Sequence, residues 1–168
     1  MQDLTLIAGL CRDRGIGLGN ELLVRLPEDM AHFKALTLGH TVLMGRKTWD
    51  SIPAKFRPLP GRRNLVLSRQ AGLQLPGAEV FTDITAALAA CGPAERVFVM
   101  GGAEIYALAL PMATALELTE FDLQRPADAF FPAWDATQFR MSRREAHTHR
   151  AGEPEGFSYS FVRYERVG

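Results

Sequence analysis

Three stretches of this 168-residue chain carry side chains that could act together on a ligand. The first is LPEDMAHFK, residues 26–34. With Asp29 set at zero and about 100° per residue, Phe33 falls near about 40°, Met30 near about 100° and Leu36 near about 340°. Asp29 therefore lies inside an apolar arc, whereas Glu28, at about 260°, lies outside it and is expected to face solvent. A carboxylate in apolar surroundings is costly unless it is paired or hydrogen-bonded. Asp29 should therefore face a core or a pocket and find a partner there.

The second stretch is VLMGRKTW, where Gly45 closes an apolar run and Arg46, Lys47 and Thr48 open the next element. Two cations and a hydroxyl at a helix start can hold a pyrophosphate or a phosphate monoester. The third is VFVMGGAEIY, in which Gly101-Gly102 joins a strand to a helix. Glycines let the backbone approach an anion there, although a tight strand-to-helix turn would leave the same pattern. The motif is neither G-x-G-x-x-G nor a P-loop. LVLSRQ adds Ser68 and Arg69 at another strand end. Open α/β sheets bind nucleotides at such carboxyl ends, so the accumulation points to a phosphorylated ligand.

Other groups carry less. Arg62 and Arg63 follow the rigid PLPG turn and either aim at a carboxylate or form a solvated pair. His147 and His149 share one strand face, but no third metal ligand is evident and the surface reading is favoured; no metal site is expected. His32 and His40 read as exposed. No Ser–His–Asp arrangement can be placed, and no nucleophile stands beside a base.

The elements that must position these residues alternate early. Leu4–Leu10 and Thr41–Met44 read as buried strands, as do Asn64–Leu67, Glu79–Phe81, Arg96–Met100 and Ala115–Glu120. Helices are expected from Pro27 to about Leu38, Arg46 to Ile52, Ile84 to Ala90 and Ala103 to Leu110. Arg12–Asn20, with three glycines, and Ala54–Gly61, with Pro58 and Pro60, read as loops. Phe157, Tyr159 and Phe161 alternate with serines, so Phe139–Thr148 and Phe157–Arg166 should form an antiparallel pair. The fold class is α/β, with a mostly parallel sheet and an antiparallel C-terminal edge.

Composition agrees with one globular domain over residues 1–168. Lys plus Arg equals Asp plus Glu at 19 each, which argues against a nucleic-acid binder relying on a strongly basic surface. Cys11 and Cys91 lie far apart and read as two free thiols. The start MQDLTLIAGL lacks a basic leader, and no apolar run approaches the ~18 residues of a membrane helix. A soluble cytoplasmic protein is expected.

Taken in order, IAGLCRDRGIG, LPEDMAHFKALT, VLMGRKTW, PLPGRRNLVLS, VMGGAEIY, ELT and DAFFP closely resemble dihydrofolate reductase of the bacterial chromosomal type, over nearly the whole chain. The resemblance implies an eight-stranded mixed sheet flanked by four helices, with an adenosine-binding subdomain at roughly 40–94. It implies NADPH-dependent reduction of 7,8-dihydrofolate to tetrahydrofolate, supporting one-carbon metabolism, and binding of antifolates. With no strong amphipathic or coiled-coil segment visible, a monomer is expected. Asp29 is then the single pocket carboxylate, bonding the pterin ring N3 and 2-amino group with support from Thr119; Leu22 joins them in the catalytic set. Ile7, Ala8, Met30, Phe33 and Ile52 would wall the pterin and benzoyl site, and Arg62 would pair with the glutamate α-carboxylate. The cofactor would lie along Ala8, Ile16, Gly17, Gly45, Arg46, Lys47, Thr48, Leu67, Ser68, Arg69, Gly101, Gly102, Ala103, Glu104, Ile105 and Tyr106. The glycine-rich stretch after the first strand would be a lid steadied by Asp128. One departure stands out: Leu23-Val24 replaces the family's usual Pro-Trp before the first helix. A same-fold reductase of another heterocycle, or a nucleotide-binding module without catalysis, are the rival readings.

Overall fold

The computed structural model describes residues 2–149 and 156–168. In chain order its elements are β1 Leu4–Leu10, β2 Gly15–Leu18, β3 Glu21–Leu22, α1 Pro27–Thr37, β4 Thr41–Gly45, α2 Arg46–Ser51, β5 Arg63–Leu67 and β6 Ala78–Phe81. There follow α3 Ile84–Ala89, β7 Val97–Val99, α4 Ala103–Ala109, β8 Ala115–Phe121, β9 Ala129–Phe130, β10 Phe139–His149 and β11 Phe157–Arg166.

Eight strands form one sheet in the order β10-β11-β8-β1-β7-β4-β5-β6. All pairs from β8 to β6 are parallel, and β11 and β10 close the other edge antiparallel. The parallel strands are apolar almost throughout because both faces are covered. Alternation splits each strand between two cores. Leu6, Leu43, Leu65 and Val99 pack on one face with Tyr106 and Phe131. Ile7, Val42, Met44, Val66 and Phe98 pack on the other with Trp49. A third cluster of Leu26, Phe121, Tyr159 and Phe161 lies where β8 and β11 meet the start of α1.

Helix α1 begins with Pro27 in its first turn and has no side-chain cap. Proline is tolerated there because its missing N–H is one the helix would leave unpaired. The chain leaves α1 through Gly39, whose φ of +82° suits glycine. Only Thr37 of this helix is fully buried, and Met30 is 59% exposed. The apolar arc read from the sequence is thus narrower than expected and centres on Phe33 and Leu36.

Three sequence expectations need correction. Arg12–Asn20 is not all loop: β2 lies inside it and pairs antiparallel with β3 and β9 in a second, three-stranded sheet. Its glycines carry no side-chain alternation to read, and its partner Ala129–Phe130 is distant in sequence. Ala54–Phe56, inside the expected proline-rich loop, forms one 3-10 turn. His32 and His40 are half-buried rather than exposed. His32 stacks on Phe161 with ring centres 3.8 Å apart, and His40 tilts against Phe98.

Candidate active site

One row along α1 organises the first half of the site. Asp29, Phe33 and Thr37 stand four residues apart, so they face one way over about 12 Å of helix. Thr119, on β8 and 4% exposed, donates its hydroxyl to Asp29 Oδ1 at 2.5 Å. Burial pushes the Asp29 carboxyl above the ordinary carboxylate range, and the Thr119 hydrogen bond partly offsets this. Behind it lies Gly9 of β1, where a Cβ would stand 3.4 Å from Asp29 Oδ2 and 2.9 Å from the Phe121 ring. Gly9 escaped the reading of site residues; its signal was a glycine inside an apolar strand, which marks a close approach.

Phe33, Leu36 and Ile52 pack against the cluster containing Ile7. Ile7 offers its carbonyl to the buried Tyr106 hydroxyl at 2.7 Å. Ala8 is half-buried on the opposite face of β1 and, like Ile16 and Ile105, packs against the cluster that holds Leu6 and Tyr106. At the far end of the α1 row, Arg62 Nη1 donates to Thr37 Oγ1 at 3.2 Å and Nε to Pro60 O at 3.0 Å. Its guanidinium carbon is 6.0 Å from the centre of the Phe33 ring. The two arginines after PLPG thus separate in role. Arg63 bridges Glu79 at 2.6 Å and Glu95 at 3.0 Å, while Arg62 has no carboxylate partner among the described residues.

The second half lies at the carboxyl ends of β7, β4 and β5, three neighbours in the sheet. Gly45 N donates to Gly101 O at 2.9 Å, and a Cβ on Gly45 would come within 3.0 Å of Ile105. Gly101 has φ +118°, and a Cβ there would meet the Thr48 hydroxyl at 3.5 Å and the Tyr106 hydroxyl at 3.4 Å. A side chain at either glycine would fill the turn. Leu67, 7% exposed, ends β5. Beyond it, Ser68 accepts from Gln70 N at 3.2 Å, and Arg69 is paired with Glu104 at 2.5 Å. Arg46 pairs with Asp50 one turn on, and Lys47 is exposed. Ala103 and Gly102 begin α4.

The small sheet reaches the second half through its hairpin tip. Leu22, on β3, is 60% exposed. Gly19 N donates to Asp128 Oδ2 at 3.1 Å, and Asp128 N to Gly17 O at 3.0 Å. Asn20 Nδ2 donates to Lys47 O at 3.1 Å, which ties the hairpin tip to α2. Val24 packs beside Leu23 in the Phe121–Tyr159 cluster, so the position that departs from Pro-Trp is filled by an aliphatic side chain.

The histidines fall elsewhere. His147 stacks on Tyr159 and lies 2.9 Å from Glu145, whereas His149 reaches Glu28 at 3.2 Å. Glu28 is exposed as expected, but it is not free. Among the described residues no group of three His, Cys, Asp or Glu could hold a metal, and no helix is long and apolar enough to cross a membrane.

A half-buried acid with a hydroxyl partner, a distal arginine and an anion-friendly strand edge now stand in one arrangement. Residues 3–166 match the family model described as dihydrofolate reductase. The dihydrofolate reductase of Neisseria meningitidis serogroup A is 51% identical over 166 residues, 99% of each chain. That of Mycobacterium tuberculosis is 53% identical over 137 residues, 76% of this chain and 83% of the relative. A solved Enterococcus faecalis dihydrofolate reductase, complexed with NADP(H) and RAB-propyl, superposes with a TM-score of 0.88 over 99% of this chain and 97% of that one, at 24% identity. A family model over residues 3–166 and relatives about half identical over nearly the whole chain have one reading: the chain belongs to the dihydrofolate reductase family.

Proposed function

We propose that the α1 row and the β4–β5–β7 edge are the machinery with which this chain carries out its family's reaction. That reaction is the NADPH-dependent reduction of 7,8-dihydrofolate to 5,6,7,8-tetrahydrofolate. The observation that carries the assignment is the Asp29–Thr119 pair, a half-buried carboxylate whose one side-chain hydrogen bond among the described residues is to a buried threonine. A carboxylate recognises two parallel N–H donors in a bidentate way, and exclusion of water strengthens the contact. Asp29 would hold the pterin ring N3 and 2-amino group, and its charge would favour the N5-protonated ring, which accepts hydride at C6 more readily. Thr119 would fix the carboxylate's orientation.

Phe33, Ile7 and Ile52 would wall the ring and benzoyl group, with Ala8, Met30 and Leu22 at the margins. Arg62 would pair with the glutamate α-carboxylate. Its hydrogen bonds to Thr37 and Pro60 hold the guanidinium in place before ligand arrives, which reduces the entropy lost on binding. The spacing from Asp29 to Thr37 suits a ligand with a hydrogen-bonding heterocycle at one end and an anion at the other.

The residues of the strand edge fit the cofactor, since Gly45 and Gly101 leave the space that a Cβ would fill. NADPH supplies the hydride when bound. Gly101, Gly102, Ala103, Ile105 and Tyr106 would line the nicotinamide and pyrophosphate side, with Ile16 and Gly17 above. Arg46, Lys47, Thr48, Ser68 and Arg69 would bind the phosphates, within an adenosine-binding subdomain of roughly residues 40–94. A cytoplasmic monomer, inhibited by antifolates, completes the reading.

Following NADPH loss with dihydrofolate tests it directly. Asp29→Asn should lower kcat/KM by roughly two to four orders of magnitude, the range for losing a positioned acid–base group. Wild-type activity in that variant would overturn the assignment.

A further inference from the structure

We infer that Glu104 is a specificity-determining residue for the cofactor: its carboxylate competes with the 2′-phosphate of NADPH for the guanidinium of Arg69. The inference rests on the assignment of Arg69 to that phosphate.

The geometry begins with strand order. Strand β4 lies between β7 and β5. Glu104 sits in the first turn of α4, just after β7, and Arg69 sits two residues past β5. Their bond, Arg69 Nη2 to Glu104 Oε1 at 2.5 Å, therefore spans the end of β4. That is where Gly45 passes into α2 with Arg46 and Lys47. The bridge crosses the edge on which the phosphates are placed.

The pair stands by itself on the surface. Arg69 and Glu104 side chains are 89% and 66% exposed, and neither has another side-chain partner among the described residues. Arg46 also meets an acid, Asp50, but that pair is local, one turn apart on α2. Glu104 is different because it comes from the helix of another strand. An acid in a first helical turn complements the helix dipole, a purely structural reason for Glu104. That reason predicts no preference between cofactors, whereas competition does.

The sign follows from charge. Carboxylate and phosphate oxygens use the same guanidinium fork. A phosphate must displace the charged carboxylate of Glu104 to reach Arg69. Removing that charge should help NADPH and leave NADH, which has no 2′-phosphate, where it was. The protein would thus hold its cofactor less tightly than its cations allow, which eases release of NADP+ after each turnover.

The test is a set of direct fluorescence titrations of NADPH and NADH with the wild type, Glu104→Gln, Arg69→Gln and the double variant. Glu104→Gln should lower the Kd of NADPH by roughly two- to fivefold, the size of effect exposed ion pairs exert. The Kd of NADH should not move, and in the Arg69→Gln background Glu104→Gln should change neither. If Arg69→Gln leaves the NADPH-to-NADH ratio intact, the assignment of Arg69 itself fails. If Arg69→Gln reduces the ratio, three results overturn the competition alone: unchanged or weaker NADPH binding by Glu104→Gln, equal tightening of both cofactors, or tightening that persists without Arg69.

Discussion

His149 Nδ1 lies 3.2 Å from Glu28 Oε2, joining the last residue of β10 to the first turn of the helix that carries Asp29. One turn along, His32 stacks on Phe161 of β11. Glu28 and His32 thus form a second row on α1, docked on the sheet edge, beside the row that faces the cleft. Only Thr37 of α1 is fully buried, so polar and aromatic contacts add to the packing of Phe33 and Leu36 in holding this helix.

Glu28→Gln should cost no more than about 1 kcal/mol of stability, since Glu28 is half exposed. Activity should fall by no more than roughly fivefold, the kinetic equivalent of about 1 kcal/mol. Thermal melts of Glu28→Gln, His149→Ala and the double variant measure the coupling between the two side chains. Losses that simply add in the double variant would show that the pair is not coupled.

Asp29→Asn should leave stability unchanged or raise it at neutral pH. Burial raises the folded-state pKa of Asp29 above its unfolded value. The folded protein then binds more protons across that window, so this group's contribution to stability falls as pH climbs through it. Removing the charge removes the penalty, and the stability gain should vanish below the unfolded carboxylate pKa of about 3.9. Activity in the variant should recover partly as pH is lowered, because dihydrofolate already protonated in solution needs less help. Melting curves and kcat/KM from about pH 5 to 8 check both signs, that window covering the usual tuned acid–base range.

Thr119→Val removes the hydroxyl that donates to Asp29 and keeps the β-branched shape. Loss of this hydrogen bond leaves burial unopposed, so the Asp29 carboxyl should titrate higher still. The acid limb of the kcat/KM profile should move toward neutral pH. A profile that only falls in height, with its limbs in place, would show that Thr119 acts by packing.

Arg62→Leu should raise the KM for dihydrofolate by roughly 10- to 100-fold, as expected for a charged hydrogen bond of about 1.5–3 kcal/mol. A pterin lacking the glutamate tail should be little affected. Thr37→Val should move the same ratio in the same direction but less, because it only frees the guanidinium that Thr37 orients. Identical changes for the two substrates would reduce Arg62 to a surface cation.

Much of this protein was legible in its sequence because the information was local. Apolar runs marked β1, β4, β5 and β7, the Phe157–Tyr159–Phe161 alternation marked the edge strand, and a helical projection set Asp29 on a different face from Glu28. Residue type alone placed cations and glycines at strand ends. What the sequence could not set was which distant groups meet. β2 became a strand only because Ala129–Phe130 pairs with it, and backbone hydrogen bonds leave no mark on a glycine-rich segment. Glu28 and His32 looked free because a helical wheel distinguishes faces but not the neighbour each face will have. Arg62 and Arg63 were equivalent as letters. Their separation, one held by Thr37 and Pro60 and the other by Glu79 and Glu95, required strand β5 to begin between them. Composition and periodicity determined the elements and the chemistry they carry; the tertiary structure decided the partners, because electrostatic and hydrogen-bonding energy depends on distance in space rather than distance along the chain.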